Sequence, residues 1–246
     1  MRSAKACVLM DLRLAHALQL TSYERGKAMN GDRRLQLDVL DELRWEPGVK
    51  ATDIGATVKD GVVTLEGTVD SYAEKWAAEK AVKRLPGVKA LAMDIEVKVP
   101  GSSERSDTDI AQAAENALKW DVAVPHKQIV VSVERGFVTL EGEVDWQFQK
   151  SAADRAVRHL KGVKGLNNFI TIKPKVAPEN VREKIEAALK RNAILDAEQI
   201  MVQADGGKVT LSGTVHSWTE LDAAVDAAWA APGVSEVKNL LTVSSF

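Results

Sequence analysis

Val63-Thr64-Leu65-Glu66-Gly67-Thr68-Val69 recurs as Val138-Thr139-Leu140-Glu141-Gly142-Glu143-Val144 and again as Val209-Thr210-Leu211-Ser212-Gly213-Thr214-Val215. The glycines of this phrase, Gly67, Gly142 and Gly213, are spaced by 75 and 71 residues. A second phrase keeps the same spacing: Gly87-Val88, Gly162-Val163 and Gly233-Val234. Two landmarks that move together mark the repetition of a whole folding unit, not of a short motif. The 246 residues therefore divide into an extension, 1–28, and three modules, 29–100, 101–175 and 176–246. Modules of about 70 residues are close to the lower limit for independent folding, so they are expected to lean on one another.

Each module reads as helix, strand, strand, helix, strand. In the first helix of each, Leu35, Val39, Leu40 and Leu43, then Ile110, Ala114, Ala117 and Leu118, then Val181, Ile185, Ala188 and Leu189, recur at the spacing of one helix face. Ile54, Ala56 and Val58 alternate as a half-buried strand does, and so do their counterparts from Ile129 and Ile200. Asp60-Gly61, Arg135-Gly136 and Gly206-Gly207 supply hairpin turns. The repeated phrase is the return strand, and a glycine within it signals a bulge or a close backbone approach. Gly67, Gly142, Gly213, Gly87, Gly162 and Gly233 are read as structural. Ser71 with Glu74, and Ser217 with Glu220, predict capping boxes at the second helix, with Asp145 as the cap in the middle copy. That helix buries Ala78, Val82 and Leu85, or Ala153, Val157 and Leu160, or Ala224, Ala228 and Ala231. A helical crossover returns the last strand parallel to the second. The expected architecture is α+β: three tandem αββαβ modules, each a small three-stranded mixed sheet with two helices on one face. Pro100-Gly101-Ser102-Ser103 and the stiffer stretch Lys173 to Pro178 are the linkers.

Composition narrows the function. Thirty-three basic against 35 acidic residues leave no basic field for nucleic acid. Cys7 is the single cysteine, which excludes an internal disulfide and a thiolate metal site. No run approaches the roughly 20 apolar residues of a membrane span. Asp11, Arg13 and His16 interrupt the N-terminal apolar stretch, so the extension is expected to be poorly ordered or an upstream start ahead of Met29. On the same ground the expected compartment is the cytoplasm, with the periplasm as the alternative.

The order of elements, the Gly61-to-Val69 core and the Leu85-Pro86-Gly87-Val88 helix exit resemble the BON domain, named for bacterial osmotically inducible and nodulation proteins. The resemblance covers residues 32–246 in three copies. It implies a non-enzymatic, cofactor-free module linked to osmotic or general stress and to phospholipid association. It leaves the ligand open, since one branch of the family binds potassium in the cytoplasm.

No reactive set repeats with the landmarks. The four histidines, His16, His126, His159 and His216, occupy unrelated places in the modules, so neither a catalytic nor a metal site is expected. Tryptophan is the stronger signal, with six in the chain. Trp45 and Trp120 are equivalent, each follows a basic residue (Arg44, Lys119), and Arg191 replaces them in the third module. Trp76, Trp146, Trp218 and Trp229 do not recur between copies. Lys83, Arg84 and Arg158 give the second-helix exits of the first two modules a basic character. Two readings compete: an anionic phospholipid interface carried by Arg44, Trp45, Lys119, Trp120, Lys83, Arg84 and Arg158, or aromatic contacts that hold the modules together. The corresponding partners are a phospholipid surface or, through the open sheet faces and strand edges, a client protein.

Overall fold

The three central glycines share one backbone environment. Each has a positive φ: +139° at Gly67, +143° at Gly142 and +129° at Gly213. A Cβ on them would lie 2.1 Å from the Asp53 carbonyl oxygen, 2.1 Å from that of Gln128 and 2.0 Å from that of Gln199. Pairing with the last strand runs through each glycine without an extra residue, Gly67 facing Ile95, Gly142 Ile170 and Gly213 Leu241, and the same glycine is the end partner of the first strand, opposite Ile54, Ile129 or Ile200. The glycine therefore serves a close backbone approach, not a bulge.

These features come from a computed structural model that describes residues 31–173, 180–192 and 197–244. The extension 1–28, Met29 and most of the second linker lie outside the described residues.

In the first module, α1 (31–45) is followed by β1 (Ile54–Lys59), β2 (Val62–Val69), α2 (Tyr72–Lys83) and β3 (Ala90–Val97). The second contains α3 (Asp107–Trp120), β4 (Ile129–Glu134), β5 (Phe137–Val144), α4 (Gln147–Arg158) and β6 (Gly165–Ile172). The third contains α5 (Val181–Arg191), β7 (Ile200–Asp205), β8 (Lys208–Val215), α6 (Trp218–Trp229) and β9 (Glu236–Val243). Each sheet has the repeated phrase at its centre, antiparallel to the first strand and parallel to the last. The inward residues of the sheet and of both helices form one apolar core per module, around Val39, Leu43, Leu65 and Val82 in the first. Both helices of a module therefore lie on the same face of its sheet.

Local chemistry explains the joints. Asp60 and Gly61 have φ of 53° and 80°, and Arg135 and Gly136 have 51° and 83°, as the tight hairpin turn requires. The Asp32 carboxylate accepts from the amides of Asp60 and Gly61 at 2.8 and 3.0 Å, and Asp107 does the same for Arg135 and Gly136 at 2.7 and 2.8 Å. Each of these turns is thus fastened to the start of its own first helix. The Ser71 and Ser217 hydroxyls accept from the amides of Glu74 and Glu220. In return, Glu74 accepts from the amides of Asp70 and Lys50, so the buried carboxylate also holds the loop before β1. The middle copy departs from the expected Asp145 cap. Trp146 occupies the capping position there, and the Gln149 side-chain oxygen accepts from the amides of both Asp145 and Trp146 at 3.0 Å. The acceptor at the third helical position replaces the capping side chain. The first linker is also more structured than a flexible spacer, with a 3-10 turn over Gly101–Ser103.

One half-buried position distinguishes the copies. Lys75 and Lys150 each donate from Nζ to a carbonyl of the last strand, Ile95 and Ile170, at 2.7 Å. Burial pushes the Lys150 amine below its ordinary pKa. In the third module the equivalent residue is Leu221, which is buried in the core. This partly compensates the alanine face of α6. A Leu221→Ala substitution is expected to lower stability by about 2–4 kcal/mol, measured by denaturant unfolding, because that face has little else to fill the space.

Candidate functional site

Trp45 and Trp120 end α1 and α3, and both are 83% exposed. Lys119 precedes Trp120 within the last turn of α3, where positive charge suits the helix dipole. Arg44 pairs with Asp41 at 2.8 Å, but both side chains are about two-thirds exposed. Val122, just beyond Trp120, is fully exposed and adds apolar surface. These are large apolar groups exposed beside basic groups, and no ring or cation contact engages either indole among the described residues.

The remaining basic candidates are placed differently. Arg84 is held by Glu46 at 2.6 Å and Glu42 at 3.1 Å, across from the end of α1. Lys83 pairs with Glu79 and sits 5.4 Å from the centre of the Trp218 ring. Arg158 is 11% exposed, pairs with Asp154 and lies 3.9 Å from the Trp76 ring. Lys83 and Arg158 thus meet aromatic rings of a different module.

Those contacts follow one rule. Tyr72, Gln147 and Trp218 are equivalent and open the second helix of each module; Lys83, Arg158 and Trp229 are equivalent and close it. Trp218 packs on the core of the first module and donates its indole N–H to the Val88 carbonyl at 2.9 Å. Tyr72 packs on the core of the second module, where burial and the nearby Asp154 raise its phenol pKa. The start of α4 and the end of α6 line a common cleft. The start of each second helix therefore meets the end of another: α2 on α4, α4 on α6, α6 on α2. Contacts of this head-to-tail kind close into a ring after three steps. Trp76, Trp146, Trp218 and Trp229 all belong to these junctions, which explains why they do not recur. Each junction was solved with a different residue set.

Near the end of α6, in the cleft it shares with α4, Asp226 has a raised pKa, caused first by burial and next by Asp222, and partly offset by Lys80 of α2. A carboxyl with a raised folded-state pKa contributes most below its unfolded value, and that contribution is lost as pH rises through the folded value. Asp226→Asn is therefore expected to raise the melting temperature at pH 7. Its advantage should shrink as pH falls into the ordinary aspartate range, where the native side chain is neutral. Melting curves of both proteins between pH 4 and 7 measure this; an advantage independent of pH would contradict it.

Among the described residues no group of three or more His, Cys, Asp or Glu side chains could hold a metal ion. No helix among them is long and apolar enough to cross a membrane.

The BON-domain profile matches residues 31–99, 106–174 and 179–245. The chain belongs to the BON-domain family, as a tandem array of three copies. It is 33% identical over 129 residues to osmotically-inducible protein Y of Escherichia coli (strain K12), an alignment that takes in 51% of this chain and 64% of the relative. The chain thus spans less than two thirds of that relative's length. Two solved structures align over most of the chain with low scores. They are the C-terminal domain of CdsD, a structural protein of the type III secretion system of Chlamydia trachomatis (18% identity, 84% of this chain and 96% of that one, TM-score 0.24), and the PrgH periplasmic domain (13% identity, 85% and 99%, TM-score 0.19). At those scores the likeness carries no argument about arrangement or function.

Proposed function

We propose that this chain is a stress-associated BON-domain protein that binds anionic phospholipid surfaces reversibly through Arg44-Trp45 and Lys119-Trp120. The observation that carries the reading is the 83% exposure of both equivalent tryptophans. An indole ring buries about 150–250 Å² when it finds a partner, and its amphipathic character suits headgroup depth. Basic groups beside it meet phosphate, each contributing on the order of 1 kcal/mol near an anionic surface. The exposed Arg44–Asp41 pair contributes little to folding, so Arg44 can exchange the carboxylate for phosphate at small cost. Lys83 and Arg158 are held at junctions and stay outside this surface. Similarity to an osmotically inducible protein supports the link to stress.

Co-sedimentation with vesicles at low salt tests the proposal. The native protein is expected to bind anionic vesicles, to bind neutral ones weakly, and to dissociate as salt rises. The double variant Trp45→Ala/Trp120→Ala is expected to bind at least about tenfold more weakly, a difference of roughly 1.4 kcal/mol, with an unchanged melting temperature. Equal failure of the native protein on both vesicle types sinks the reading.

A second reading has its own observation. On the outer face of the second sheet, Val130, Phe137 and Phe169 are exposed, and Val130 and Phe169 flank Glu141 in register. Met201 and Leu240 flank Ser212 in the third sheet in the same way. Apolar side chains there suit a client protein. Phe169→Ser would then lower suppression of client aggregation while vesicle binding stays intact; no suppression by excess native protein counts against this reading.

A further inference from the structure

We propose that the α4–α6 junction is a binding site for a small, planar aromatic molecule without net charge, which takes the place that the chain's own rings take at the other two junctions. At the α2–α4 and α6–α2 junctions the helix-opening residue is an aromatic ring, Tyr72 or Trp218, lodged against the neighbouring module. At the α4–α6 junction the equivalent residue is Gln147, which supplies no ring. A cleft of about 460 Å³ remains there, within the usual range of small-molecule sites.

The walls favour an aromatic occupant. Trp146 and Phe148 project from the start of α4, with ring centroids 6.4 Å apart and planes tilted by 32°. Trp229 comes from the end of α6, at the position where the other junctions place Lys83 and Arg158. An aromatic guest therefore meets an aromatic face where Trp218 meets a cation. Offset stacking and edge-to-face contact are the favoured arrangements for such rings. Arg155 and Asp226 line the same cleft, and their opposite charges leave it without net preference for an anion or a cation. The ligand class is thus an indole- or phenol-like ring. The site is separate from Trp45 and Trp120, so it stands whether or not the protein binds vesicles.

Saturation-transfer NMR on the full-length protein tests this, with indole as the probe and tetramethylammonium as the comparison. Indole is expected to receive saturation and to bind with a Kd below about 1 mM, reasonable for so small a ligand. Trp229→Ala is expected to weaken it at least tenfold. Gln147→Trp is expected to fill the cleft from within, abolish indole binding and raise the melting temperature. If circular dichroism shows that Gln147→Trp does not fold, the double variant Trp229→Ala/Phe148→Ala decides, with lost binding supporting the site. Absence of transfer to indole, undiminished transfer in these variants, or preference for tetramethylammonium overturns the assignment.

Discussion

Gly142→Ala is expected to destabilise the second module by about 3–5 kcal/mol, since it combines a disfavoured φ with an overpacked contact. The glycine sits at φ +143°, and a new Cβ would lie 2.1 Å from the Gln128 carbonyl oxygen. That oxygen belongs to the backbone of the 3-10 turn His126–Gln128, directly ahead of Ile129, which pairs with Gly142 itself, so it cannot retreat as a side chain could. The substitution must therefore break the antiparallel ladder near Ile129 or shift the whole strand. A loss of this size is a large share of the stability of a single domain. Calorimetry should show a fall of roughly 6 °C or more even if the whole chain unfolds as one unit. The same change at Gly206, where a Cβ would meet nothing within 4 Å, should be much milder. Near-equal effects at Gly142 and Gly206 would remove the close-approach explanation.

Trp218→Ala is expected to cost about 3 kcal/mol and to loosen the first module from the third. The side chain packs on two cores, faces Lys83 and donates to the Val88 carbonyl, so the substitution removes packing, a cation–π contact and a hydrogen bond together. Trp218→Phe should keep most of the packing and lose about 1 kcal/mol for the missing N–H bond. The distinguishing readout is cooperativity. With the ring open, the first and third modules should melt at separate temperatures in the calorimeter, whereas the native chain is expected to melt in one transition. If Trp218→Ala leaves both the melting temperature and the shape of the transition unchanged, the junction contributes nothing.

The elements of each module were legible because they rest on local patterns. Val63, Leu65 and Val69 alternate, Leu35, Val39 and Leu43 recur at helical spacing, and Asp60-Gly61 marks a turn. The parallel last strand followed from the crossover, because a hairpin cannot set β3 parallel to β2. Local pattern left the glycine undecided between bulge and close approach, since the carbonyl that excludes a side chain belongs to the 3-10 turn ahead of the first strand, 14 residues away in sequence. The Asp145 cap failed for a related reason. Gln149 can satisfy the helix-start amides from within the helix, so the cap need not sit at the position its chemistry suggests.

The junctions were legible only in part. That four tryptophans do not recur already set them apart from the shared core, as partly exposed rings or as contacts between modules. Which partner each would meet depends on how three cores close together, and Trp218 and Val88 are 130 residues apart. The same closure turned Lys83 and Arg158 from apparent members of a basic exit into the seats of aromatic rings. The cleft went unseen in the sequence, although a signal was there: the helix-opening position reads Tyr72, Gln147, Trp218, and one ring is missing. Trp45 and Trp120 stood out for the opposite reason. They recur, yet the core of the module has no use for them.

Closure of three BON modules head to tail is the frame on which the recognition surfaces are arranged. The indole N–H resonance of Trp218 reports on it most directly. Slow hydrogen exchange at this proton and nuclear Overhauser contacts to Lys83 and Val88 of the first module are expected. Exchange at the rate of a free indole, with contacts confined to the third module, would contradict it.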